Sequence, residues 1–282
     1  MEWDDIRVFL EVTRRGSFTA AAQSMGIKQS TVSRRIAQFE EQLGTRLFDR
    51  KRAELSPMGE RLRVRAEAVE ASVIAFRDEL EGFETAPQGK VRLALTESMA
   101  IHVILPAVMP ELKRRFPLVQ LELLTGYDLA RLTQRDAEMA LRFVRPQSGD
   151  LIGRRIAQIF ICILAHRKFA GLAKDEVEWI LADFDRFETS EKTWFDKNIS
   201  REPVLRTSSY NTQIEAMRSG VGAALLPRSL LRLDSQVVEL DWGLPPGPSL
   251  DLWLITPEAL RHVPRIACVW DLIEELVPPL VE

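Results

Sequence analysis

The 282-residue chain is poor in the residues that most often announce a chemistry, with two cysteines, Cys162 and Cys268, and three histidines, His102, His166 and His262. Two thiols cannot build a disulfide framework and suit a reducing compartment, the cytoplasm by default. The histidines lie far apart in sequence and none has a ligand partner at helical or turn spacing, so no metal and no cofactor is expected. A Gly-rich phosphate loop, a G-x-S-x-G elbow and a Cys-x-x-Cys pair are all missing, which removes the usual signatures of an enzyme. No stretch approaches the ~18 apolar residues of a membrane span. The N-terminus, MEWDDIRVFLEV, is acidic and enters helix periodicity at once, unlike a signal peptide. The membrane is therefore not an expected partner. Cys162, inside IFICIL, reads as a buried structural thiol, with a Cys162–Cys268 redox switch as the alternative.

What the chain does have is an ordinary globular composition, 46% apolar and 28% charged, at a length that suits two or three compact units. Its charge is unevenly spread. Residues 28–65 hold ten lysines and arginines against five acids, a local excess of +5 in a chain of net charge −3, which leaves −8 elsewhere. A basic block of this kind fits a nucleic-acid surface, and a merely solvated basic face is the bland alternative. The six tryptophans are scattered rather than ranked along that block and read as packing residues.

Trp3, Ile6, Phe9, Leu10 and Val12 fall on one side of a helix that Gly16 ends. Ser17 stands at an N-cap position, opening a short helix through Ala20, Ala21, Ala22 and Met25. Gly26 permits a tight turn, and Ile27 is expected to plug into the core. In the next helix Val32, Ile36 and Leu43 form a buried stripe, which leaves Gln29, Ser30, Thr31, Ser33 and Arg34 outward near its N-terminal end. These side chains can read base edges: Gln pairs with adenine, Arg with guanine, and Ser or Thr with bases or phosphates. A short helix, a Gly turn and a polar-faced second helix make a helix-turn-helix for double-stranded DNA.

The stretch GSFTAAAQSMGIKQSTVSRRIAQFEEQLGTRLFDR, followed by LSPMGERL, resembles the N-terminal domain of LysR-type transcriptional regulators. The Ala pair, Val32-Ser33, Ile36, Glu40, Leu43-Gly44, Leu47-Phe48, Arg50 and the Leu55-Ser56-x-x-Gly59 ending carry the resemblance. Phe39 and Met58 depart from the usual Leu and Ala, away from the DNA-facing set. The resemblance implies a two-stranded wing over 46–56, with Arg50, Lys51 and Arg52 against phosphates or the minor groove.

From Pro57 onward Leu62, Ala66, Val69, Val73, Phe76 and Leu80 are spaced 4, 3, 4, 3, 4, a heptad seam. It serves either packing on its own domain or pairing with a second copy. The resemblance implies the latter, a homodimer and commonly a tetramer. Residues 82–90, GFETAPQGK, lose periodicity and read as a hinge.

Beyond the hinge strand and helix alternate, with strands at 91–96, 119–126, 137–144, 158–165, 222–226, 236–240 and 251–256. Helices are expected at 99–116, broken near Pro106, at 209–219 and at 262–277. The alternation implies α/β lobes with a largely parallel sheet. This half is similar to the family's effector-binding domain, two lobes like those of periplasmic solute-binding proteins joined by two crossovers. Its markers are Leu105-Pro106, Phe116-Pro117 and the run Gly220-Val221-Gly222 through Leu226-Pro227.

The expected organisation is α/β overall. A winged helix-turn-helix occupies 1–58, a dimerising linker helix 59–81, a hinge 82–90 and an effector domain 91–282. Lobe one takes about 91–157 plus 257–282, and lobe two about 158–256. Ligands of such folds sit beyond strand ends near helix N-termini. Three strand ends supply candidates: Thr96, Glu97 and Ser98; Thr125 and Gly126; Ser208, Ser209 and Asn211. Ser98 and Ser209 also read as simple N-caps. Glu97 either turns outward or implies an effector that is neutral or carries an amine. Arg142 and Arg145 would restore an anion site, or make surface salt bridges. The reading is a DNA-binding regulator controlled by a small-molecule effector of open identity, with RNA polymerase as a candidate further partner. The alternative is a solute-binding or enzymatic α/β protein whose N-terminal helices only mediate assembly.

Overall fold

The computed structural model describes residues 2–49, 54–82, 86–126, 137–145, 151–184 and 188–281, the side chains of 71, 74, 75 and 77–82 excepted. The chain divides into two compact units, Met1–Thr85 with Pro257–Pro264, and Ala86–Thr256 with Arg265–Glu282.

The first unit holds α1 (Trp3–Arg15), α2 (Phe18–Met25), α3 (Gln29–Leu43) and α4 (Pro57–Gly82). Ser17 caps α2 by accepting from the Ala20 N–H at 3.4 Å, a contact of a kind worth about 1 kcal/mol. Gly26 closes α2 in the left-handed region, φ 66°, with its N–H on the Ala22 and Gln23 carbonyls. The buried faces of α1 and α3 meet around Phe9, whose ring lies 6.3 Å from Phe39 and 5.6 Å from Phe48. Val32 and Ile36 are buried in the same core, and Leu43 packs at its edge. Ile27 does not plug into it. Its N–H closes the end of α2 on the Ala22 carbonyl at 3.0 Å, and the side chain stays 38% exposed.

Glu40 organises the segment after α3: Oε1 accepts from the Leu47 N–H at 2.7 Å and the Phe48 N–H at 3.1 Å. Phe48 and Leu55 then form an antiparallel bridge. Arg50, Lys51 and Arg52 lie outside the described residues. Ser56 Oγ donates to the Arg46 carbonyl at 2.6 Å and accepts from the Gly59 N–H at 3.0 Å.

The expected seam on α4 has two characters. Leu62 packs against the first unit's own core and Ala66 is part of it, while Arg14 of α1 forms an ion pair with Glu70. The first turns of α4 are thus held by α1, which corrects the expectation that Leu62 and Ala66 face a partner. Val69 and Phe76 are exposed and Val73 half-buried, lining a groove with Arg65, Ala68 and Ser72. The side chain of Leu80 lies outside the described residues.

The second unit is built on β1 (Gly89–Leu95), β2 (Val119–Thr125), β3 (Met139–Arg142), β4 (Leu151–His166), β5 (Ile180–Ala182), β6 (Leu205–Thr207), β7 (Ala224–Pro227), β8 (Val237–Glu239) and β9 (Ser249–Pro257). Seven of these strands make one sheet, ordered β2-β1-β3-β9-β4-β7 with β8 also on β4, while β5 and β6 pair separately. The β1–β2, β1–β3 and β5–β6 pairs are parallel, whereas β3–β9, β4–β7 and β4–β8 are antiparallel. The sheet is therefore mixed rather than largely parallel, because β4 and β9 run against the strands they join. Strand β1 begins at Gly89, inside the expected hinge.

After β1 one helical run covers α5 (Glu97–Met99), a π-helical stretch (Ala100–Val108) and α6 (Met109–Arg115). Pro106 does not break it. Proline lacks an N–H and crowds the carbonyl four residues back, and the wider π register accommodates it without ending the helix. The Met109 N–H accordingly bonds to the Ile104 carbonyl, five residues back. Among the described residues the further α-helices are α7 (Ser190–Asn198), α8 (Tyr210–Arg218), α9 (Leu230–Leu233), α10 (Pro264–Leu276) and α11 (Pro278–Val281). Ile180, Ile214, Met217, Leu226 and Leu230 form a core behind β4, β5 and β7, and Trp179 and Trp270 are fully buried.

Candidate functional site

On the first unit, α3 presents Gln29, Ser30 and Arg34 exposed, with Thr31 and Ser33 half-buried. Gln29 Nε2 donates to Ser33 Oγ at 3.1 Å, an i, i+4 bond that places both on one strip of the helix. Arg35, the neighbouring arginine, is drawn off to Asp4 of α1 at 3.2 Å, which leaves Arg34 as the outward guanidinium.

In the second unit a cavity of about 320 Å³ lies between the end of β1 with its helix, strands β4 and β7, and the starts of α7, α8 and α9. That is within the size range of small-molecule sites. Most of its wall is aliphatic, including Met99, Val103, Ile159, Ile161, Ile214, Leu226, Leu230 and Leu250. Polar groups enter at Thr96, Ser98, His102, Thr189, Ser190, Tyr210 and Ser229, with two carboxyls, Glu188 and Glu191.

The expected strand-end residues are only partly brought together here. Thr96 lines the cavity and caps α5 through the Met99 N–H at 3.4 Å. Ser98 lines it too and donates to Asn211 Oδ1 at 2.8 Å. Glu97 points into solvent and is not part of the wall, so the carboxylate in question turns outward. Thr125, Gly126, Ser208 and Ser209 do not line the cavity; Ser208 is exposed, and Ser209 caps α8 by accepting from the Thr212 N–H at 3.3 Å. Arg142 is buried rather than on the surface and donates to the Gly126 carbonyl at 3.1 Å. Arg145 lies over the Trp253 ring, 5.6 Å from its centroid.

Several wall residues escaped the strand-end reasoning, above all Glu191. It is 6% exposed, accepting at Oε1 from the Tyr210 hydroxyl at 3.0 Å and at Oε2 from the Ser190 hydroxyl at 2.9 Å. The available signal was local, since Thr189 is an N-cap that accepts from the Lys192 N–H and so starts a helix just after β5. His102 is held below the usual histidine range, first by burial and then by the charge of Arg218, with Glu215 acting the other way. Burial pushes the Cys162 thiol up to about 12 and the Cys268 thiol up to about 11, so neither forms an appreciable thiolate near neutrality. Among the described residues no cluster of metal-ligating side chains occurs, and no helix is long and apolar enough to cross a membrane.

Residues 3–60 match the family described as bacterial regulatory helix-turn-helix protein, lysR family, and residues 84–278 match the LysR substrate binding domain. The chain belongs to the LysR family. Among curated relatives of this LysR chain, the Mau operon transcriptional activator of Paracoccus denitrificans is 28% identical over 231 residues, 80% of either chain. The transcriptional activator IlvY of Haemophilus influenzae is 24% identical over 97% of this chain and 100% of its own. Among solved structures, a full-length OxyR variant from Pseudomonas aeruginosa superposes with a TM-score of 0.73 at 16% identity, covering 98% of each chain. Full-length LysG from Corynebacterium glutamicum, with bound effector Arg, gives 0.68 at 18% identity over 99% of this chain and 100% of that one. The LysR chain is thus a transcriptional regulator and not an enzyme, with a DNA-binding helix-turn-helix ahead of a two-domain α/β effector-binding region. The solute-binding or enzymatic alternative is not favoured.

Proposed function

We propose that this LysR chain reads DNA with the exposed strip of α3 and is switched by a small molecule held in the cavity of the second unit. Gln29, Ser30, Thr31, Ser33 and Arg34 are assigned to base edges in the major groove, and Arg50, Lys51 and Arg52 to phosphates. The observation that carries the reading is the split on α3: Val32 and Ile36 face the core while Gln29, Ser30 and Arg34 face solvent.

The division into 1–58, 59–81, 82–90 and 91–282, with lobe one at about 91–157 plus 257–282 and lobe two at about 158–256, is part of the same proposal. So is pairing of two copies through the exposed part of α4, at Val69, Val73 and Phe76, which would set two reading helices at a fixed half-site spacing. Thr96 and Ser98, with Asn211 behind Ser98, are the effector contacts we retain from the strand ends. Effector binding then shifts the balance between arrangements of the oligomer, and with it contact to RNA polymerase in the cytoplasm.

Selection from a pool of randomised duplexes tests the reading. A two-fold symmetric consensus, bound with an affinity that falls steeply with salt, is the expected result. Equal retention of all duplexes would refute it.

A further inference from the structure

The cavity also carries information about what fills it. Its wall is mostly aliphatic, yet Glu191, nine-tenths buried, forms part of it. A buried carboxylate is costly and is ordinarily matched by a cation. Here two neutral hydroxyls, from Tyr210 and Ser190, donate to it, one on each oxygen. Among the described residues no lysine, arginine or histidine pairs with it. Lys192, next in sequence, is turned to Asp196 on its own helix. An ionised carboxylate has about four acceptor directions, so each oxygen keeps room for another donor. Glu188 adds a second carboxyl to the same wall. His102 also lines the wall, and burial together with the charge of Arg218 disfavours its cationic form.

Resting on the reading of this cavity as the effector site, we propose that the effector is a small apolar molecule carrying one cationic N–H donor, an amine or amidine, which docks on Glu191. The aliphatic wall takes the body, and the ligand's cation meets the Glu191 carboxylate, which no described cation matches. A charge-assisted bond of this kind discriminates against a neutral or anionic isostere by about tenfold or more.

Isothermal titration of the full-length protein with 2-phenylethylamine, 2-phenylethanol and 3-phenylpropionate tests the proposal. The amine should bind about tenfold tighter than the other two. In Glu191→Gln that preference should shrink to within about threefold, whereas Glu191→Asp, which keeps the charge, should retain most of it. The Asp variant also serves should the Gln variant fail to fold. Binding of all three without preference for the amine, or tighter binding of the carboxylate, would overturn the cationic assignment and leave the cavity as the effector site. Binding of none of them would overturn both.

Discussion

Ser98 and Asn211, 113 positions apart, are joined by a 2.8 Å hydrogen bond from the serine hydroxyl to the amide oxygen. The bond ties the helical run after β1 to α8 at the rim of the cavity. Removing either partner should cost about 0.5–1.5 kcal/mol. A double-mutant cycle of Ser98→Ala and Asn211→Ala, followed by thermal unfolding of the second unit, should show a coupling of that order. Strict additivity would mean that the bond contributes nothing.

Arg34 and Arg52 are assigned different jobs, and their alanine variants should fail differently. Arg34→Ala should lose about 1–3 kcal/mol at one base step and relax selectivity there. Arg52→Ala should weaken binding across all sequences and flatten its salt dependence. Competition gel shifts with single-base operator variants separate the two; uniform losses in both would refute the division.

Gly59 lies in the first turn of α4, and a Cβ there would lie 2.2 Å from the Leu47 carbonyl oxygen, a backbone atom that cannot swing aside. Gly59→Ala should therefore destabilise the first unit by about 1–3 kcal/mol, as overpacking does, and weaken DNA binding with it. An unchanged melt of the first unit would argue that the backbone yields freely.

The two thiols should be unreactive while the protein is folded. With Cys162 pushed up to about 12 and Cys268 up to about 11, iodoacetamide at pH 8 should leave both unmodified over a time that consumes free cysteine. Both should react once the chain is denatured. Rapid labelling of the folded protein would revive a redox role.

His102 sets a pH dependence whose sign follows from its lowered pKa. The folded protein disfavours the imidazolium, so the unfolded chain binds more protons once the pH falls below the ordinary histidine value of about 6.5. Stability should hold above that value and decline below it, and His102→Gln should flatten the decline between pH 6.5 and the depressed folded value. Urea titrations over this range check both statements.

The helix-turn-helix was legible because its signals are local: Ser17 before an alanine run, Gly26 at the turn, and Val32 and Ile36 one helical turn apart. The family resemblance extended that reading to the second unit. What escaped depended on neighbours remote in sequence. Leu62 and Ala66 fit a dimer seam by spacing alone, and only the position of α1 shows that they pack inward. Pro106 reads as a helix break unless a π register is available. Glu191 and Tyr210, 19 residues apart and in no shared motif, become a pair only once α7 and α8 meet at the cavity. The strand-end rule found Thr96 and Ser98, but not the carboxylate opposite.

The 16-residue β4 and the 9-residue β9 each run without a break from one half of the large sheet to the other. Their continuity marks where the second unit can be taken apart. A graft from a relative that begins after His166 and ends before Ser249 would leave both strands whole in the host and exchange the far wall of the cavity as one cassette. A splice placed inside either strand would instead interrupt the sheet that both halves share.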